Sequence, residues 1–117
     1  MLTWSAILEL ASGLPEIEES TSYGTPALKV RGKLIARLWE DGETLVLRVG
    51  PEREALMLAE PEKFFTTAHY ENYPWVLVRL ARVGADELRE LLTEAWHLRA
   101  PRRLAAQREA ERDGEDD

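Results

Sequence analysis

Between residues 27 and 49 the chain reverses direction twice, in stretches too short to hold a helix. Ala27–Arg31 and Lys33–Trp39 flank the single Gly32, and Asp41-Gly42 separates Leu34–Trp39 from Thr44–Val49. Each run is rich in β-branched and aliphatic residues. An Asp-Gly pair between such runs is among the strongest short-range hairpin signals. The spacing predicts an antiparallel meander of three strands, and every other element has to pack around it.

The flanking segments read as helices and one further strand. Thr3 suits an N-cap, and Trp4, Ile7, Leu8 and Ala11 follow helical spacing. Gly13, Leu14 and Pro15 read as a left-handed cap, a hydrophobic contact and a stop. Residues 16–25 are polar and show neither a helical nor a strand period. Pro51, followed by Glu52 and Glu54, opens a short helix to about Ala59 that Pro61 ends. Trp75–Val83 is an apolar, β-branched run and is expected as a strand. From Gly84 to about Arg108 a helix presents Leu88, Leu91, Leu92, Ala95 and Leu98 as its apolar stripe, with Pro101 kinking it. The expected order is α-β-β-β-α-β-α, an α+β class in which helices pack on one face of an antiparallel sheet.

Charge and composition narrow the chemistry. The 117 residues carry a net charge of −7, which speaks against a generic nucleic-acid binder. Residues 107–117 hold six of the acids against two arginines, and the rest of the chain is only −3. This segment reads as an acidic, disordered tail after a domain spanning residues 1–106. There is no cysteine, and the histidines are His69 and His97. Thiolate metal sites and cysteine nucleophiles are therefore excluded, no residue set suggests a metal or cofactor, and no nucleophile elbow or glycine-rich phosphate cradle is present. No catalytic set is recognisable, and the chain reads as a non-enzyme. No apolar run reaches the length of a membrane span, and the N-terminus lacks a basic signal region, so a cytoplasmic location is expected.

Two features point to binding. The charged residues of the four expected strands include Lys29, Arg31, Lys33, Arg37, Arg48 and Arg79, with no acid in those spans. Alternation along a strand aims Lys29 and Arg31 away from Leu28 and Val30. The set reads as an anion-binding sheet face for nucleic-acid phosphates, or as a solvated outer face that blunts strand edges. The second feature is the connector 64–75, which holds Phe64, Phe65, Tyr70, Tyr73 and Trp75, five of the nine aromatic residues. With Tyr23, Thr25 and His69, the residues Tyr70, Tyr73 and Trp75 make a candidate site for a protein partner or an anionic small molecule.

Glu19-Ser20-Thr21-Ser22-Tyr23-Gly24-Thr25-Pro26-Ala27, Val30-Arg31-Gly32-Lys33, Phe64-Phe65-Thr66-Thr67-Ala68-His69-Tyr70 with Tyr73-Pro74-Trp75-Val76, and Ala95-Trp96 with Ala100-Pro101 occur in this order. Together they resemble the MmcQ/YjbR family over roughly residues 3–106. The resemblance implies a CyaY-like fold and DNA binding through a double-wing arrangement, with no enzymatic activity attached to the family. The chain has Leu28 where the family pattern carries an aromatic residue, and Ala68 where it carries proline. A metal-handling role by analogy with frataxin-like proteins would need an acidic ridge on the first helix, which here carries the single acid Glu9.

Overall fold

The computed structural model describes the backbone of residues 1–115 and the side chains through residue 111. Three hairpins in succession build most of its sheet. Strand β1 (Ile17–Ser22) turns into β2 (Thr25–Val30), β2 into β3 (Lys33–Leu38), and β3 into β4 (Thr44–Arg48). The first two reversals use only two residues each, Tyr23-Gly24 and Arg31-Gly32, and all four take positive φ. That conformation matches the right-handed twist of the strands it joins. The third reversal is tied by Asp41, whose Oδ1 accepts from the Glu43 and Thr44 amides and whose Oδ2 accepts from the Thr44 hydroxyl.

Helix α1 (Trp4–Ala11) precedes the meander, and α2 (Arg53–Ala59), β5 (Phe64–Phe65) and β6 (Trp75–Arg79) follow it. Helices α3 (Ala85–Arg99) and α4 (Arg102–Glu115) complete the described chain. The sheet has six antiparallel strands in the order β1-β2-β3-β4-β6-β5. The protein is thus an α+β fold on an open antiparallel sheet.

All four helices contribute to one core on a single face of that sheet. Ile7 of α1, Leu88, Leu92 and Trp96 of α3, and Leu104 of α4 meet Leu28, Val30, Leu45, Leu47, Val76 and Val78 from the strands, and Leu56 of α2 packs at the margin. Trp96 is fully buried and donates through Nε1 to the Pro15 carbonyl at 2.9 Å, fixing the chain after α1 against α3. A bulge between Leu28 and Lys29 lets both Ile35 and Ala36 join this core.

Several expectations need correction. Residues 16–25 supply a strand, β1, which has no apolar alternation because it is a solvent-exposed edge. Phe64–Phe65 also pairs, as β5. The strand from Trp75 stops at Arg79, and residues 80–82 turn away after the Leu80 amide donates to the Glu43 carbonyl. Pro101 divides the last helix in two, with Ala100 extended at φ −68° and ψ 146°. The left-handed residue after α1 is Glu16, not Gly13. Helix α4 takes in residues 107–115 of the segment read as a tail, and Asp116 and Asp117 lie outside the described residues. Among the described residues no helix is long and apolar enough to cross a membrane.

Candidate functional site

The face of the sheet away from the helices is covered in part by the connector 66–74. Tyr70 folds back onto Val46 and Leu77, with Trp39, Phe65 and Trp75 packed around them, to give a second, smaller apolar cluster. A pair of arginines adds directional bonds to that apolar contact. Arg53, in the first turn of α2, donates from Nε to the Trp75 carbonyl at 2.8 Å, and from Nη2 to the Thr66 hydroxyl and the Tyr70 carbonyl at 3.0 and 3.1 Å. Arg37, in the middle of β3, donates from Nη2 to the Tyr70 hydroxyl at 2.8 Å.

Arg37 is the centre of this face. It is only 4% exposed, and its Nη1 donates to the Thr25 hydroxyl, the Leu38 carbonyl and Glu40 Oε1 at 3.2, 3.4 and 2.9 Å. Burial works against its charge, but the hydrogen bonds with Tyr70 and Glu40 outweigh that and raise its pKa. Glu40 is held below the usual carboxylate range, first by a backbone hydrogen bond and then by Arg37. The ring of Tyr23, 75% exposed on the β1–β2 turn, lies 5.0 Å from the guanidinium carbon of Arg37. Tyr23 holds φ at 52°, a left-handed conformation that costs a non-glycine residue about 1–2 kcal/mol. Arg31 takes the same conformation at the next hairpin, so the two-residue turn accounts for it.

These residues enclose a hollow of about 290 Å³. Its floor is Leu34, Val46 and Trp75, with Arg37 and Tyr70 behind, and Tyr23, His69 and Tyr73 stand around it. His69 is exposed and meets Tyr70 edge-to-face at 4.6 Å, and Tyr73 is 59% exposed. A shallower hollow of about 280 Å³ adjoins it, shares Tyr23, Arg37, His69 and Tyr70, and reaches Glu40 and Thr67. A larger depression of about 800 Å³ lies on the helix side, but its walls include the exposed carboxylates Glu52, Glu90 and Glu94, and among the described residues none of those lining it has a buried polar atom without a partner.

The six basic residues do not form one open surface. Arg37 is buried inside the aromatic site. Arg31, on the β2–β3 turn, makes a two-pronged pair with Glu16, 2.7 Å for each contact, and this pair lowers the Glu16 pKa. The guanidinium of Arg79 lies 4.0 Å from the Phe65 ring centre. Lys33 pairs with Val30 across the β2–β3 turn and is exposed. Lys29 and Arg48 are half-buried and stand without a carboxylate partner among the described residues. Burial, with the charge of Arg99 added, lowers the Arg48 pKa.

The structure brings Tyr23, Thr25, His69, Tyr70, Tyr73 and Trp75 together around Arg37, merging two sets that look separate in the sequence. The residues that sequence reasoning missed are Leu34, Val46 and Arg53. Alternation around Arg37 could have placed Val46 on this face; Arg53 gives no signal, because its partners are carbonyls and a hydroxyl 13 to 22 residues away. Among the described residues no three His, Asp or Glu side chains converge to hold a metal.

Comparison with known proteins places this architecture. The family model YjbR matches residues 12–98. The uncharacterized proteins Rv2570 of Mycobacterium tuberculosis and Mb2600 of Mycobacterium bovis are each 34% identical to the chain over 125 aligned positions, covering 89% of it and 93% of their own length. The crystal structure of Deinococcus radiodurans protein DR2400, a DUF419 domain, superposes with a TM-score of 0.71 at 29% identity, covering 84% of this chain and 78% of that one. The chain belongs to the YjbR family.

Proposed function

We propose that this protein is a non-enzymatic binding module whose recognition site is the aromatic hollow on the helix-free face of the sheet. The observation that carries the reading is the convergence on Arg37. A buried arginine is fixed by Tyr70, Thr25 and Glu40 beneath aromatic rings that stay open to water. Concave, mainly apolar walls with a few fixed polar groups are the usual form of a ligand site. Exposed tyrosines beside such a wall supply contact area at low entropic cost.

An amide NMR titration with naphthylmethanol, a neutral two-ring probe, tests the site. Shifts confined to Leu34, Arg37, Val46, Tyr70 and Trp75, and weakened in Tyr23→Ala, are the expected result. Shifts scattered over the surface, or none, would overturn the reading.

A second reading, contact with nucleic-acid phosphates, draws on Lys29, Arg48 and Arg79, which lack carboxylate partners among the described residues. Three phosphate contacts correspond to a slope of roughly −3 in log affinity against log salt for duplex DNA. The paired and buried states of Arg31 and Arg37 favour the hollow over this surface.

A further inference from the structure

The sheet register gives the hollow a charge that its own lining does not show. Its three floor residues lie on adjoining strands, and each stands directly across from a basic residue. Leu34 pairs with Lys29, Val46 with Arg37, and Trp75 with Arg48. Side chains directly opposite on an antiparallel pair share a face, with Cβ atoms about 5 Å apart. Three cations therefore border a flat apolar floor in a protein whose net charge is −7.

The three differ in how their charge is matched: Lys29 has Glu18 directly across β1–β2, though not in a close ion pair, whereas Arg48 has Trp75 across from it. Glu40 holds Arg37, and does so from the neighbouring shallow hollow; no carboxylate lines the deeper one. Lys29 and Arg48 have no acidic partner within ion-pair distance among the described residues, and the Arg48 Nε is buried without a hydrogen-bond acceptor. A half-buried guanidinium left without an acceptor is costly, and an acceptor brought by a ligand removes that cost.

The remaining constraint is shape. The hollow is about 290 Å³, at the small end of ligand sites, and suits a body of about two fused rings. The indole of Trp75 and the ring of Tyr70 line it, and the exposed Tyr23 and Tyr73 stand at its edge.

We infer that the ligand of this hollow is a small planar aromatic anion, its ring on the Leu34–Val46–Trp75 floor and its carboxylate or equivalent group toward Lys29 and Arg48. This rests on the hollow being the recognition site. The ring is held by stacking and apolar contact, and the anion is selected chiefly by Arg48, whose Nε has no acceptor, with Lys29, which faces Glu18 across β1–β2 without a close ion pair, adding to the field.

The test compares three probes on the full chain by amide NMR titration: naphthoate, its neutral analogue naphthylmethanol, and cyclohexanecarboxylate, which has charge without a flat ring. Naphthoate is expected to bind about ten-fold tighter than naphthylmethanol and cyclohexanecarboxylate, with shifts at Lys29, Leu34, Arg48 and Trp75. In Lys29→Gln/Arg48→Gln the advantage of naphthoate over naphthylmethanol should disappear while naphthylmethanol binds as before. Equal binding of naphthoate and naphthylmethanol by the wild-type protein would overturn the anion inference and leave the hollow as a site. Failure of both naphthyl probes to shift the floor residues would overturn the hollow itself.

Discussion

The two faces of this sheet are finished by different means. On the helix side, strand residues that alternate inward are Leu, Val and Ile, and α1, α3 and α4 close over them until Trp96, Leu88 and Ile7 have no exposed surface. On the other side the strand positions include Arg37, Arg48 and the exposed Arg79 among Val46 and Leu77, and part of the cover is a connector of residues 66–74 hung from Arg37 and Arg53. The first face is filled to exclusion of water. The second is bridged by directional hydrogen bonds, which fix positions without filling volume, and so a hollow remains. Stability should reside in the first face and recognition in the second.

The strongest way to break that comparison is Trp96→Ala. Truncating a fully buried tryptophan costs about 3–5 kcal/mol, and here it also strips the Pro15 carbonyl of its donor. Urea denaturation should show a loss in this range. A loss below about 1 kcal/mol would mean that the helix side is not the main source of stability. Next comes Arg37→Met, which keeps apolar bulk and removes donors to Tyr70, Thr25 and Glu40. Hydrogen bonds to a charged group contribute about 1.5–3 kcal/mol, so a penalty of about 2 kcal/mol is expected, with naphthylmethanol binding lost. A penalty as large as that of Trp96→Ala would erase the distinction between the faces.

A smaller and more local effect is expected for Arg53→Ala. Hydrogen exchange should quicken at amides of residues 66–74, because three anchors of that connector go together, while protection in α3 is unchanged. Uniform loss of protection in α3 would show that the connector supports the core as well. The smallest effect is acid dependence. Glu16 and Glu40 have carboxyl pKa values below their ordinary range in the folded protein, Glu16 through Arg31 first and Glu40 through a backbone hydrogen bond first. Because the folded values are depressed, their contribution is complete above the unfolded value of about 4.3 and fades as pH falls through the folded values. Thermal melts of Glu40→Gln should therefore lose less between neutral pH and pH about 3 than the wild type; an unchanged acid limb would separate Glu40 from the stability of this face.

The parts of this arrangement that were legible in the sequence are those set by local chemistry. The meander followed from Gly32 and Asp41-Gly42, the buried stripe of α3 from Leu88, Leu92 and Ala95, and the break near Ala100 from Pro101. Strand β1 was not legible, because an edge strand such as Ile-Glu-Glu-Ser-Thr-Ser needs no apolar face and its pairing with β2 is backbone chemistry. The site residues were recognisable as two groups, basic strands and an aromatic connector. That they share one hollow depends on Arg37 meeting Tyr70 across 33 residues, which no local pattern encodes. For the same reason Arg37 reads in the sequence as part of an open phosphate-binding or solvated face, while the connector laid over it contributes to its burial.

The strand order has a consequence in time. Strands β1 to β4 pair through consecutive hairpins, so their contacts close short loops, and hairpins form in about 1–10 μs. Strand β6 must find β4 across 26 intervening residues, a longer closure with a larger entropic cost, and it arrives carrying Trp75. Trp75 is part of the floor of the hollow, and the connector just before it is the wall. A chain emerging during synthesis therefore has every strand of the meander before it has the hollow, which forms only when β6 pairs with β4.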